Sequence, residues 1–105
     1  MERLSFEVAA EGPAAPRAPA ALVGVVASGN LEVLVEPGAP EGRCRVEIAT
    51  SARGFGEIWE AVVRDFAARH PVAGLRLSVN DAGATPAVVT LRLGQAVEEY
   101  LGAAR

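Results

Sequence analysis

Leu22-Val23-Gly24-Val25-Val26-Ala27-Ser28-Gly29-Asn30-Leu31-Glu32-Val33-Leu34-Val35-Glu36 is the stretch that decides the fold. Two runs rich in Val and Leu, residue types that suit a pleated sheet, flank a Ser-Gly-Asn break. Gly-Asn between such runs signals a hairpin, because Gly accepts the positive φ that a tight primed turn needs. With Gly29 and Asn30 as the loop, Ser28 faces Leu31 as the last paired position, Val26 faces Val33, and Gly24 faces Val35. That face is almost wholly apolar and is expected to meet a core. The other face, with Val23, Val25, Ala27, Glu32, Leu34 and Glu36, is mixed. Gly24 inside a strand suggests a bulge or a close backbone approach. The Ser28 hydroxyl is expected to be exposed, yet held by ordered strands on both sides.

On the N-terminal side, Leu4-Ser5-Phe6-Glu7-Val8 alternates as a short strand does. Residues 9–20 hold Pro13, Pro16 and Pro19 among alanines, a composition that cannot build a packed core and reads as an extended arm. Residues 1–20 are therefore read as an N-terminal strand and arm, and residues 21–105 as the main domain. The first strand either stands apart or adds to a sheet edge of a partner. On the C-terminal side, residues 36–42 form a Pro-Gly turn. Arg43 to Thr50 then alternates as a third strand of an antiparallel meander. Phe55 to Arg69 reads as a helix whose apolar stripe is Ile58, Trp59, Val62, Val63 and Phe66, ended by Pro71. Leu75 to Asn80 is a strand, and 80–84 a loop. Thr85-Pro86 resembles an N-cap with Pro at the first helical position. Ala87 to Leu101 has strand propensity near Val88-Val89-Thr90. The stripe Val89, Leu93, Ala96, Val97 and Tyr100 together with the cap favours a helix. The expected fold is α+β, a two-layer sandwich in the order β-β-β-α-β-α. Its mixed, mostly antiparallel sheet has about four strands, with both helices on one face and a right-handed crossover between the parallel strands.

The composition closes off several kinds of chemistry. All ten basic residues of the 105 are arginines. Without lysine there is no Schiff base, no biotinyl or lipoyl attachment and no P-loop lysine. A net charge of −3 and the lack of any basic run argue against a nucleic-acid partner. Cys44 is the single cysteine, so no internal disulfide forms, and its place at a strand start suits a small buried hydrophobe. No apolar run reaches membrane-spanning length and no signal-peptide pattern opens the chain, so a cytoplasmic location without a membrane partner is expected.

Catalytic and metal-binding patterns are sparse. One His and one Cys make no His/Cys metal cluster. His70, between Arg69 and Pro71, reads as an exposed residue at a helix C-terminus, where the dipole favours its charged form. Ser28, His70 and Asp81 name the members of a hydrolytic triad, but nothing in their spacing joins them. Gly54-Phe55-Gly56 lacks the full dinucleotide fingerprint. Ser5 and Ser78 lie inside expected strands and Ser51 precedes a helix, which leaves Ser28 as the serine presented at a tip.

Val26-Ala27-Ser28-Gly29-Asn30-Leu31-Glu32-Val33-Leu34-Val35-Glu36-Pro37 resembles the signature of the acyl-carrier (delta) subunit of malonate decarboxylase. So do Leu4-Ser5-Phe6-Glu7 and Asp81-Ala82-Gly83-Ala84-Thr85-Pro86. The carrier (gamma) subunit of citrate lyase shares the Ser-Gly-Asp hairpin and the strand–Asp-x-Gly-Ala–helix ending. The family usually has Asp after Ser-Gly where this chain has Asn30.

The resemblance implies a non-catalytic carrier, with Ser28 bearing 2'-(5''-triphosphoribosyl)-3'-dephospho-CoA through a phosphodiester and Gly29 and Asn30 forming the turn that presents it. The thiol of that group then carries acetyl and exchanges it for malonyl on an acetyl-CoA:malonate transferase (alpha) subunit. It presents malonyl thioester to decarboxylase subunits; carbon dioxide leaves and acetyl stays. A prosthetic-group transferase and a malonyltransferase are further implied partners. Helix-face arginines such as Arg64 and Arg69 either contact the arm's phosphates or face solvent. The competing readings are the citrate lyase carrier, a small interaction domain docking through its sheet edge, and a stand-alone hydrolase using Ser28.

Overall fold

A computed structural model describes residues 1–11 and 20–103. The strands are β1 (Glu2–Ala9), β2 (Ala21–Gly24), β3 (Leu31–Pro37), β4 (Arg43–Thr50) and β5 (Leu75–Asp81). The helices are α1 (Gly56–Arg69) and α2 (Pro86–Ala103). The strands form one five-stranded sheet in the order β1-β4-β5-β3-β2. Leu31, Val33 and Val35 of β3, Cys44, Val46 and Ile48 of β4, and Leu75, Leu77 and Val79 of β5 are buried on one face. Both helices cover that face, α1 towards β1 and α2 over β2 and β3. The α+β two-layer reading holds, with five strands instead of about four because β1 joins the same sheet, antiparallel to β4. The Pro-Ala arm at 12–19 lies outside the described residues.

The expected meander does not form. β5 inserts between β3 and β4, antiparallel to one and parallel to the other. The alternating Leu75, Leu77 and Val79 side chains fill the middle of the apolar face, where burial is greatest. The 38–42 turn can step over β5 because two strand spacings are only about 10 Å. It is fastened there by Gly38 and Ala39 amides donating to the Gly74 carbonyl at 3.0 and 3.1 Å, and by the Gly74 amide donating to Arg43 O at 2.7 Å.

The β2–β3 register also differs. Val23 pairs with Val33 and Ala21 with Val35. The expected register is therefore off by three residues, an odd shift that exchanges the faces of β2. Ala21 and Val23 point to the core, while Val25 and Val26 lie outside the strand and are exposed. The cause is Gly24, whose φ of +88° ends the strand. A Cβ there would collide with the Leu31 carbonyl oxygen, so the close approach expected from the sequence is present. Gly24→Ala is predicted to cost about 3 kcal/mol, combining left-handed strain with displacement of the Leu31 carbonyl. The check is the midpoint of urea unfolding, which should fall without a change in slope.

In α1 the buried residues are Trp59, Val63, Phe66 and Ala67, whereas Ile58 is exposed. The apolar face is thus rotated from the expected stripe, because a small Ala67 allows close packing on the core while Ile58 borders an open groove. α2 behaves as expected. Val89, Leu93, Ala96, Val97 and Tyr100 are all buried, and the Val88 amide donates to Thr85 Oγ1 at 3.3 Å.

His70 is half-buried and not exposed as expected. Its ring stacks on Phe66, one turn earlier in α1, with centroids 4.7 Å apart. Its Nδ1 lies 3.0 Å from the Phe66 carbonyl oxygen. The bare backbone of Gly94 in α2 is its neighbour on the other side.

Candidate functional site

Residues Val25 to Asn30 join β2 to β3 as a six-residue loop, longer than a two-residue hairpin. The Asn30 amide donates to Ala27 O at 2.8 Å, which closes a β-turn over Ser28 and Gly29. Gly29 has φ +76°, and among the described residues no non-glycine residue has positive φ. Negative φ at Ser28 followed by positive φ at Gly29 makes this a type II turn, not the primed turn expected. Ser28 is therefore a corner residue of the turn and not the last pair of a ladder. Just before it, the Ala27 amide donates to Val25 O at 3.1 Å, a tighter bend. Ser28 is exposed, and a Cβ built on Gly29 would meet nothing within 4 Å. The hydroxyl thus stands in open space on a defined turn.

The turn does not protrude alone. The Gly29 amide donates to Ala82 O at 2.8 Å, and the Ala82 amide donates to Asn30 O at 2.9 Å. These two bonds continue the β3–β5 ladder past the strand ends and fasten the serine tip to the β5–α2 loop. That loop is in turn set by Asp81, which is only 4% exposed. Its Oδ2 accepts from Thr50 Oγ1 at 2.9 Å and from the Gly83 amide at 3.1 Å, and its Oδ1 accepts from the Ala84 amide at 3.0 Å. The carboxylate thereby joins the ends of β4 and β5 to the start of α2. The sequence places Asp81 in a loop, in a family motif and in a triad on paper, and none of these readings gives it a bracing role. The Asp-x-Gly pattern, which favours a side-chain-closed turn, was the available signal for its bracing role.

Asn30 has a second function. Its Oδ1 accepts from the Leu31 amide at 2.8 Å and from Arg92 Nε at 3.2 Å. Arg92, on α2, also donates from NH1 to Gln95 Oε1 at 2.8 Å. Both Asn30 bonds use an oxygen acceptor, so Asn serves the turn as Asp would. Arg64 and Arg69, the helix-face cations singled out in the sequence, are engaged instead with Glu60 at 3.1 Å and Asp65 at 3.0 Å along α1.

No triad is assembled. His70 precedes the start of β5, where Leu75 pairs with Pro37, while Ser28 and Asp81 lie at its far end, where Asp81 pairs with Leu31. The strand between them spans about 20 Å. Among the described residues no His, Cys, Asp or Glu cluster is able to hold a metal ion, and no helix is long and apolar enough to cross a membrane.

A profile of the family described as malonate decarboxylase delta subunit (MdcD) matches residues 18–100, which include the whole tip and its bracing loop. The chain belongs to this family. A malonate decarboxylase acyl carrier protein of Stenotrophomonas maltophilia strain K279a is 57% identical over 103 residues, covering 96% of this chain and 95% of that protein. One from Burkholderia cepacia is 62% identical over 99 residues, covering 94% and 90%. Among solved structures, a chain of the Pseudomonas malonate decarboxylase hetero-tetramer in complex with malonate superposes with a TM-score of 0.82 at 42% identity, covering 95% of this chain and 99% of that one. Within its family this chain is the acyl carrier subunit of malonate decarboxylase, a carrier and not a catalytic subunit. The family match overrides the citrate lyase alternative.

Cys44 is fully buried, and burial pushes its thiol up to about 12. The native thiol should resist thiol reagents that need the thiolate. The folded value lies above the unfolded one, so the associated stability is intact below about pH 8.5. It should then fall by about 1.4 kcal/mol per pH unit as pH rises towards the folded value. Urea midpoints between pH 8 and 10 check this: the loss should be shallower in Cys44→Ala than in the parent chain.

Proposed function

We propose that Ser28 is the attachment point of a phosphoribosyl-dephospho-CoA group donated by 2'-(5''-triphosphoribosyl)-3'-dephospho-CoA, and that Gly29 and Asn30 form the turn that presents it. The exposed Ser28 hydroxyl, on a turn fastened at Gly29 and Asn30 to the β5–α2 loop, is the observation that carries this reading. Attachment from a triphosphate precursor forms a bond from Ser28 Oγ to the phosphorus nearest the ribose. Pyrophosphate leaves, and the hydroxyl proton passes to a base of the transferase. A braced turn suits that reaction, since the backbone of the turn is held in place while the Ser28 side chain stays exposed to an enzyme's pocket.

The bound thiol then carries acetyl and malonyl between an acetyl-CoA:malonate transferase subunit and decarboxylase subunits in the cytoplasm, with a malonyltransferase loading malonyl. Tethering raises the effective concentration of substrate at each station above that of a free thioester. The loop beside the turn leaves Val25 and Val26 exposed, and Leu91 of α2 is exposed as well. Such apolar side chains suit docking onto those subunits.

The test is the intact mass of the chain isolated from its native complex. One adduct of nucleotide–pantetheine size is expected on each molecule. Unmodified chain in a complex that turns over malonate would contradict the proposal.

A further inference from the structure

We propose that Arg92 is the positioning residue for the phosphodiester carried by Ser28, holding it through the guanidinium edge left open by its two bonds within the chain. This rests on Ser28 being the attachment point. The geometry that supports it is independent of that reading. Arg92 Nε is 3.2 Å from Asn30 Oδ1, and Asn30 closes the turn that has Ser28 at its corner. One residue, Gly29, lies between Ser28 and Asn30, so their Cα atoms are at most about 7 Å apart. A phosphate on Ser28 Oγ extends from an exposed side chain of the same turn.

Arg92 is held by two side-chain hydrogen bonds yet carries no ion pair among the described residues. Arg45, Arg64, Arg69 and Arg76 each pair with a carboxylate, at 3.1, 3.1, 3.0 and 2.9 Å. Arg92 meets only the amide oxygens of Asn30 and Gln95, and among the described residues it takes part in no ion pair. Neutral acceptors orient the guanidinium without cancelling its charge. Two of its five N–H donors are used, and a planar fork of the remaining ones matches the two non-bridging oxygens of a phosphodiester. Being half-buried and held at Nε and NH1, the side chain is already ordered, so less entropy is lost on engaging the phosphate. A carboxylate at position 30 would cancel part of this charge; Asn30 leaves it available.

Two measurements on the full-length chain test the proposal. The first compares the Arg92 Nε–H resonance before and after Ser28 is loaded by the prosthetic-group transferase with its triphosphoribosyl precursor. It should shift and exchange more slowly with solvent in the loaded chain. The second measures initial loading rates by intact mass. Arg92→Gln should load about ten-fold more slowly, and Arg92→Lys, which retains the charge, should recover most of that loss; both variants should show thermal unfolding close to that of the parent. An Arg92 resonance identical in the loaded and unloaded chains would overturn the assignment, as would Arg92→Gln loading at the parental rate. If the parent chain itself accepts no group at Ser28, the attachment reading fails first, and this one with it.

Discussion

Ser28→Ala should abolish the adduct completely while leaving the fold intact. The side chain is exposed and has no hydrogen-bond partner among the described residues, and a type II turn tolerates alanine at that corner. The change in stability should therefore stay within about 0.5 kcal/mol. Function should respond in an all-or-none way. A complex assembled with Ser28→Ala should decarboxylate malonate no faster than one lacking the carrier, because no other residue is offered as a tether. Ser5, Ser51 and Ser78 do not substitute: Ser5 and Ser78 lie within β1 and β5, and the Ser51 amide is bonded to Asp81 O at 3.1 Å just past the end of β4. The check is steady-state turnover of the reconstituted complex beside an unfolding curve of the isolated chain. Retained turnover with a stable Ser28→Ala chain would move the tether elsewhere.

Asp81→Ala is expected to cost about 3 kcal/mol of stability, as much as Gly24→Ala. Alanine leaves the Thr50 hydroxyl and the Gly83 and Ala84 amides without the acceptor they now share. Orphaned polar groups in such a place cost about 1–3 kcal/mol each. Relief from burying a carboxylate offsets part of that sum. In a chain of this size the loss corresponds to a fall in melting temperature of about 15 °C. The effect should also reach the tip, because the Gly29 and Ala82 amides belong to the pair of bonds that Asp81 braces. Faster hydrogen exchange at these two amides, at a temperature where the variant is folded, would show the coupling. Unchanged protection would mean that the turn holds itself. Asp81→Asn should be less damaging but not silent, since its amide nitrogen has to face a donor.

How far the sequence reveals this arrangement depends on the distance over which each feature is encoded. α2 was legible because two local signals agree: the Thr85-Pro86 start and a stripe from Val89 to Tyr100 that is buried throughout. β4 and β5 alternate cleanly and lie where alternation puts them. The strand order was not legible. Alternation says which residues face the core but not which strand is the neighbour, and β5 enters the sheet between two strands that are adjacent in the chain. The turn at the tip was read as a turn but with the wrong register. Ser-Gly-Asn is compatible with loops of two or six residues, and the choice was made by Gly24, whose backbone must pass close to Leu31. A glycine within a strand signals a close backbone approach but not which residues then pair.

At the site, Ser28 was found from its position in a turn, and its meaning came from resemblance. Asp81, Ala82 and Arg92 were missed as parts of the tip. They lie more than fifty residues away along the chain and meet it only because β5 pairs with β3 and α2 follows at once. No periodicity records such a meeting. As cations on a helix face, Arg64 and Arg69 are candidate phosphate contacts in the sequence. Their neighbours one turn away, Glu60 and Asp65, take that charge up locally.

The most direct test of the Ser28 assignment uses the absence of lysine. Trypsin cuts this chain only after arginine, and the peptide 18–43 contains Ser28 as its sole hydroxyl side chain. Fragment masses of that peptide, taken from the chain in its native complex, should place one nucleotide–pantetheine group on Ser28. The peptide at its unmodified mass, with the group found on another peptide or on none while the complex remains active, would contradict the assignment.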